Sequence, residues 1–158
     1  MLRLRPAVWF LLIAMAAPCA DRPVVPYTVC EILGDLSKFQ ASPVAALGRY
    51  SFREQGRWLS EQACEGSSLP PMLFLNEDGK EGPPTPGSFE IDAATLNRKF
   101  EELRKHTTLG KFRFGSSDYD RWAVVYGRVA ARAGEAAKKA PADLIFRGDG
   151  VVVFLTPQ

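Results

Sequence analysis

The clearest periodicity in the chain begins at Val44. Val44, Ala46, Gly48, Tyr50 and Phe52 fall on one side of an extended backbone, with Arg49, Ser51 and Arg53 on the other. A period of two marks a half-buried strand, here over residues 43–53. Gly48 inside it marks a bulge or sharp bend. Glu54-Gln55-Gly56 supplies a hairpin turn. Residues 57–64, with Trp58 and Leu59 as the large apolar side chains, form the returning strand. A third apolar run, Met72-Leu73-Phe74-Leu75, follows Pro70-Pro71.

The period then changes. Leu96, Phe100 and Leu103 recur at helical spacing, with Arg98, Lys99, Glu101, Glu102, Arg104 and Lys105 mostly on the opposite side and Asp92 placed as N-cap. Residues 120–132 form a fourth strand that is apolar on both faces. Residues 134–142 are an Ala/Lys-rich connection. Residues 142–147 are a fifth strand, Gly148-Asp149-Gly150 is a tight turn, and residues 151–155 form a last strand that folds back on the fifth. Ahead of the first strand, Pro23 and Pro26 keep residues 21–26 extended. Ile32, Leu33 and Leu36 predict a short helix within 29–39, with residues 35–40 forming its end and a turn. Residues 76–88, rich in Gly, Pro and acids, are a long surface loop.

Three strands, a helix and two more strands are the plan of the OB-fold, a five-stranded barrel with its helix between strands three and four. A bend at Gly48 would help such a barrel close. The alternative is an α+β fold with the helix on an open antiparallel sheet. A cysteine before the first strand, Gly48-Arg49-Tyr50-Ser51-Phe52-Arg53, Trp58-Leu59-Ser60 and then Cys64 resemble small exported bacterial OB-fold-like proteins of unassigned function. The resemblance is best over residues 30–64, weaker over Tyr126-Gly127-Arg128 and 140–147, and does not cover the 76–88 loop. It implies a fold and export, and little about activity.

The N-terminus changes the charge picture. Arg3 and Arg5 precede 11 uncharged apolar residues, 7–17. That run is too short for a bilayer, which needs about 20, and it reads as a secretory signal peptide over residues 1–20. Cleavage falls near residues 16–20. Ala14-Met15-Ala16 fits the small-x-small site, and Cys19 offers lipidation as an alternative, although Pro18 departs from the lipoprotein pattern. The whole chain carries 20 Lys and Arg against 18 Asp and Glu. Without Arg3 and Arg5 the balance is zero, so general attraction to nucleic acid is not expected. Charge is still uneven. Residues 60–92 hold seven acids and one base, and residues 98–132 hold nine bases and four acids.

About 140 residues remain, which suits a single domain over 27–158. With Cys19 in or beside the leader, Cys30 and Cys64 are the natural disulfide pair in an oxidising compartment. The bridge closes a loop of about 35 residues and contributes roughly 3–4 kcal/mol in the chain-entropy picture.

Catalytic patterns are thin. His106 is the only histidine, and at a helix end it suits the helix dipole. Gly-x-Ser-x-Gly, P-loop and dinucleotide fingerprints are absent. No catalytic residue, metal site or cofactor is assigned. Arg147-Gly148-Asp149 matches an adhesion tripeptide, but the turn explains it. The candidate ligand face is aromatic and basic: Tyr50, Arg57, Trp58 and Arg128. The expectation is an exported or envelope-associated, non-enzymatic binding module for a glycan, peptide or protein, touching membrane only if lipidated at Cys19. An enzyme or enzyme-accessory domain using the acidic 76–90 loop, and a purely structural or inhibitor-like domain, are the alternatives.

Overall fold

The alternating segment forms β2 (Val44–Arg53), and a barrel is built around it in a computed structural model describing residues 22–40, 42–87, 89–110, 119–148 and 152–156. The other elements are β1 (Pro26–Thr28), α1 (Val29–Gly34), α2 (Leu36–Phe39), β3 (Gly56–Ser60), β4 (Met72–Glu77), α3 (Ala93–His106), β5 (Tyr119–Ala131), α4 (Gly134–Lys139), β6 (Ala142–Phe146) and β7 (Val152–Leu155). The expected leader, its cleavage region and Cys19 lie outside the described residues, as do Asp149 and Gly150.

Strand β2 pairs antiparallel with β3, β3 antiparallel with β4, β4 parallel with β6, β6 antiparallel with β5, and β5 antiparallel with β2. That circuit is a closed five-stranded barrel with α3 between its third and fourth strands, so the fold is mainly β and OB-like. The register carries a consistent inward row: Tyr50 opposite Leu59, Leu59 opposite Leu73, and Leu73 opposite Ala142. All four are buried, with Leu75, Val125, Val129, Leu144 and Phe146. The face shared by Val44, Ala46, Gly48, Tyr50 and Phe52 is therefore the barrel interior.

Gly48 sits where β2 changes neighbours. Residues 45–47 pair with β1, and 49–53 pair with β3. A Cβ at Gly48 would stand 3.1 Å from Val29 Cγ2 and 3.2 Å from the Ser60 carbonyl oxygen. A side chain there would need Val29 or the Ser60 backbone to give way, and the expected bulge is not found, because the β2–β5 register runs unbroken past Gly48 opposite Ala123.

The outward side of β2 and β5 is also buried. Trp122 meets Phe100 of α3 edge-on, and Tyr126 meets Phe89 edge-on. This second apolar layer explains why β5 reads as apolar on both faces. Helix α1 is opened by a capping box in which Thr28 and Glu31 exchange hydrogen bonds. Both Glu31 oxygens also accept from Lys99 Nζ, at 2.6 and 2.8 Å, which ties α1 to α3.

Three expectations are corrected. Asp35 ends α1 where a helix end was expected, but the expected turn after it is a second short helix, because the Asp35 carboxylate accepts the Lys38 N–H that starts α2. The returning strand ends at Ser60 rather than 64. The chain leaves the sheet so that Cys64 can bond Cys30 in the first turn of α1, and the disulfide is present. The last strand does not fold back on the fifth. Strand β6 already lies between β4 and β5, while β5 runs past it, and β7 continues along that unoccupied stretch, pairing Val153 with Val124.

Reducing the Cys30–Cys64 bridge, which spans 34 residues, is expected to lower unfolding free energy by about 3–4 kcal/mol. Urea unfolding of the protein with and without reductant, and of Cys30→Ser with Cys64→Ser, measures it. An unchanged midpoint would assign the tethering of α1 to the Glu31–Lys99 pair instead.

Candidate binding face

Adjacent residues on a strand point to opposite faces, and this splits the four expected ligand residues. Tyr50 and Arg57 point inward. Tyr50 is 3% exposed, and burial pushes its phenol pKa up despite the nearby Arg57 guanidinium. Arg57 closes one end of the barrel, with its Nη2 2.9 Å from Glu77 Oε2 and its guanidinium carbon 5.3 Å from the Phe146 ring centre. Trp58 and Arg128 point outward. The structure brings these two to one wall of the barrel and places Tyr50 and Arg57 behind it.

That wall is the outer face of β3, β4 and β6. Trp58 stands opposite Phe74, and Phe74 opposite Asp143. Arg132 reaches across the row. Its Nε lies 3.2 Å from Asp143 Oδ1, and its guanidinium carbon lies 4.9 Å from the Phe74 ring centre. The edge of the Phe74 ring passes over Gly56, whose φ is +126° and where a Cβ would stand 2.9 Å from that ring. Met72 and Ile145 complete the apolar part, and all of these side chains are half-exposed. The helices α1, α2 and α3 pack against β1, β2 and β5.

Phe74, Arg132 and Asp143 were missed by sequence reasoning because they are far apart in the chain and meet only through strand register. The one local signal was alternation: Phe74 lies between Leu73 and Leu75, both of which point inward.

The acidic loop frames this wall. The Asp78 carboxylate accepts the N–H groups of Lys80 and Glu81, at 2.7 and 3.0 Å, and these bonds hold its pKa below the ordinary value. That turn presents Glu81 to Arg128, 3.0 Å away. Glu77, Asp78 and Glu81 are thus each engaged, by Arg57, by the loop backbone and by Arg128.

A separate cleft of about 510 Å³ lies beside the disulfide, between α1, α3 and the segment after β3, and is lined by Cys30, Cys64, Glu61, Arg98 and His106 among others. Burial raises the Glu61 pKa, opposed by the Cys30 N–H that donates to it at 2.7 Å. Asp120 is the converse. Burial works to raise its pKa, but hydrogen bonds from Ser51, the Gly110 N–H and Arg53 outweigh it and hold the carboxyl below its ordinary value. Among the described residues no three His, Cys, Asp or Glu side chains are placed to hold a metal ion.

No protein-family model, curated protein or solved structure matches the chain. The fold assignment rests on strand order and register alone.

The two carboxyls give opposite pH dependences. Asp120 binds its proton more weakly folded than unfolded, so its stabilisation is full above the ordinary carboxylate range and is lost as pH falls through the lowered value. Glu61 binds its proton more tightly folded, so its contribution is full at low pH and is lost as pH rises through the raised value. In urea unfolding between about pH 3 and pH 8, Asp120→Asn is expected to cost about 1–3 kcal/mol at neutral pH and to flatten the acid limb. Glu61→Gln is expected to gain on the wild type as pH rises. Parallel profiles for wild type and both variants would refute this assignment.

Proposed function

We propose that the protein is an exported, non-enzymatic binding module whose ligand lies across the outer face of β3, β4 and β6. The carrying observation is the half-exposed Trp58–Phe74 row with Arg132 held over Phe74 by Asp143. OB barrels take ligands on this strand face. A planar ring can stack a sugar or a peptide side chain, and the fixed guanidinium–carboxylate pair beside it offers both donors and acceptors. A glycan of the cell envelope or its surroundings fits this combination best, with an extended peptide next.

Two features support export: the leader-like residues 1–20 and the disulfide, a bond retained in oxidising compartments. Lipidation at Cys19 would tether the same module to a membrane. Nucleic acid fits poorly, because the chain without its leader has no net charge and the two arginines of this wall are already paired with Asp143 and Glu81.

Glycan-array screening of the protein tests the reading. Saturable binding is expected, weakened about tenfold or more by Trp58→Ala while the urea midpoint stays within about 1 kcal/mol of wild type. A hydrolase activity that disappears in Glu77→Ala would overturn the reading in favour of an enzyme built on the acidic loop.

A further inference from the structure

Strand β7 has one edge on β5, and among the described residues nothing pairs with its other edge. Such edges are normally blunted by charge, proline or a covering element, because they offer a row of backbone donors and acceptors to any passing strand. The four residues of β7, Val152–Leu155, are all apolar. A groove of about 410 Å³ runs beside them against α3, where apolar Leu96, Phe100, Phe154 and Leu155 alternate with polar Asn97, Glu101 and Thr156.

Phe154 also has neighbours outside that groove. Phe154 is 41% exposed. Its ring meets Tyr50 edge-on at 5.4 Å, and Tyr119 and Phe52 continue the stack behind it. Arg121 lies over Phe154, 4.8 Å from the ring centre. Arg57, Arg128 and Arg132 each have a carboxylate partner, whereas exposed Arg121 has none among the described residues.

We propose that this edge takes up an extended peptide of a partner protein as an added strand, with an acidic side chain of that peptide against Arg121. Side chains of an added strand alternate between the two faces of the sheet. One set enters the groove between Leu96, Phe100 and Leu155. The next lies beside Phe154 and Arg121 and carries a carboxylate. A second copy of this chain is the poorer occupant, since its own β7 has no acid to place against Arg121. The proposal is independent of the Trp58 face, which lies on other strands.

Fluorescence anisotropy of the purified protein with a labelled hexapeptide of alternating Val and Asp tests it, against an alternating Val and Lys peptide. Saturable binding of the Asp peptide alone is expected. Arg121→Glu should weaken that peptide about tenfold or more and favour the Lys peptide instead. Methylating alternate amide nitrogens of the Asp peptide should abolish binding without any change to the protein. No binding at millimolar peptide, equal binding of the methylated peptide, or an unchanged preference in Arg121→Glu would each overturn the proposal. So would a concentration-dependent dimer with exchange-protected β7 amides, which would assign the edge to a second copy.

Discussion

The pairing of β2 with β5 is the contact on which the rest of the molecule depends. It runs without a break from Val44 opposite Gly127 to Phe52 opposite Tyr119 and closes the barrel. It is also costly to form, because it joins segments separated by about half of the folded chain, and loop closure must be met before any of its contacts stabilise the fold. The residues fit that demand. Small side chains, Ala45, Ala46, Gly48 and Ala123, stand where the two strands are enclosed on both sides, and Leu47, Val124 and Val125 fill the space around them. The Cys30–Cys64 bridge and the Lys99–Glu31 pair then hold the helical layer against the closed strands.

Enclosure on both sides has a functional consequence. A sheet closed into a barrel has an interior and an exterior, and here the exterior is treated unequally. Around β2 and β5 the helices supply a second apolar layer. Around β3, β4 and β6 large side chains remain half-exposed, with Trp58, Phe74 and Ile145 framed by paired arginines. At β7 a strand edge is left without a neighbour among the described residues. The places where this protein could meet something else are those where its own secondary structure stops covering the barrel.

The charged residues reinforce that division. Uneven stretches of acid and base along the chain are matched across the fold rather than gathered into fields of one sign. Glu77 and Glu81 from the acidic stretch meet Arg57 and Arg128, and Asp120 is held by Arg53 in a site with little solvent. Surface pairs of this kind add little stability, but they fix a loop and orient guanidinium groups. Arg121 lies over Phe154 and has no carboxylate partner among the described residues.

Much of this architecture was legible from the sequence because it depends on local periodicity. The alternation from Val44 to Phe52 identified the inward face, the spacing of Leu96, Phe100 and Leu103 identified α3, and Asp92 marked its start, accepting the Thr95 N–H at 2.6 Å. The order of strands and helix indicated the barrel, and the cysteine count indicated the bridge. Sequence could not place Tyr50 and Arg57 behind the wall that carries Trp58, nor bring Phe74, Arg132 and Asp143 beside it, nor send β7 past β6 onto β5. Those outcomes follow from register and from which strand edge is still unoccupied when the chain arrives. Pairing between distant strands is a non-local choice: each segment's own pattern determined that it would be a strand and which side would be buried, and only closure of the barrel decided its neighbours.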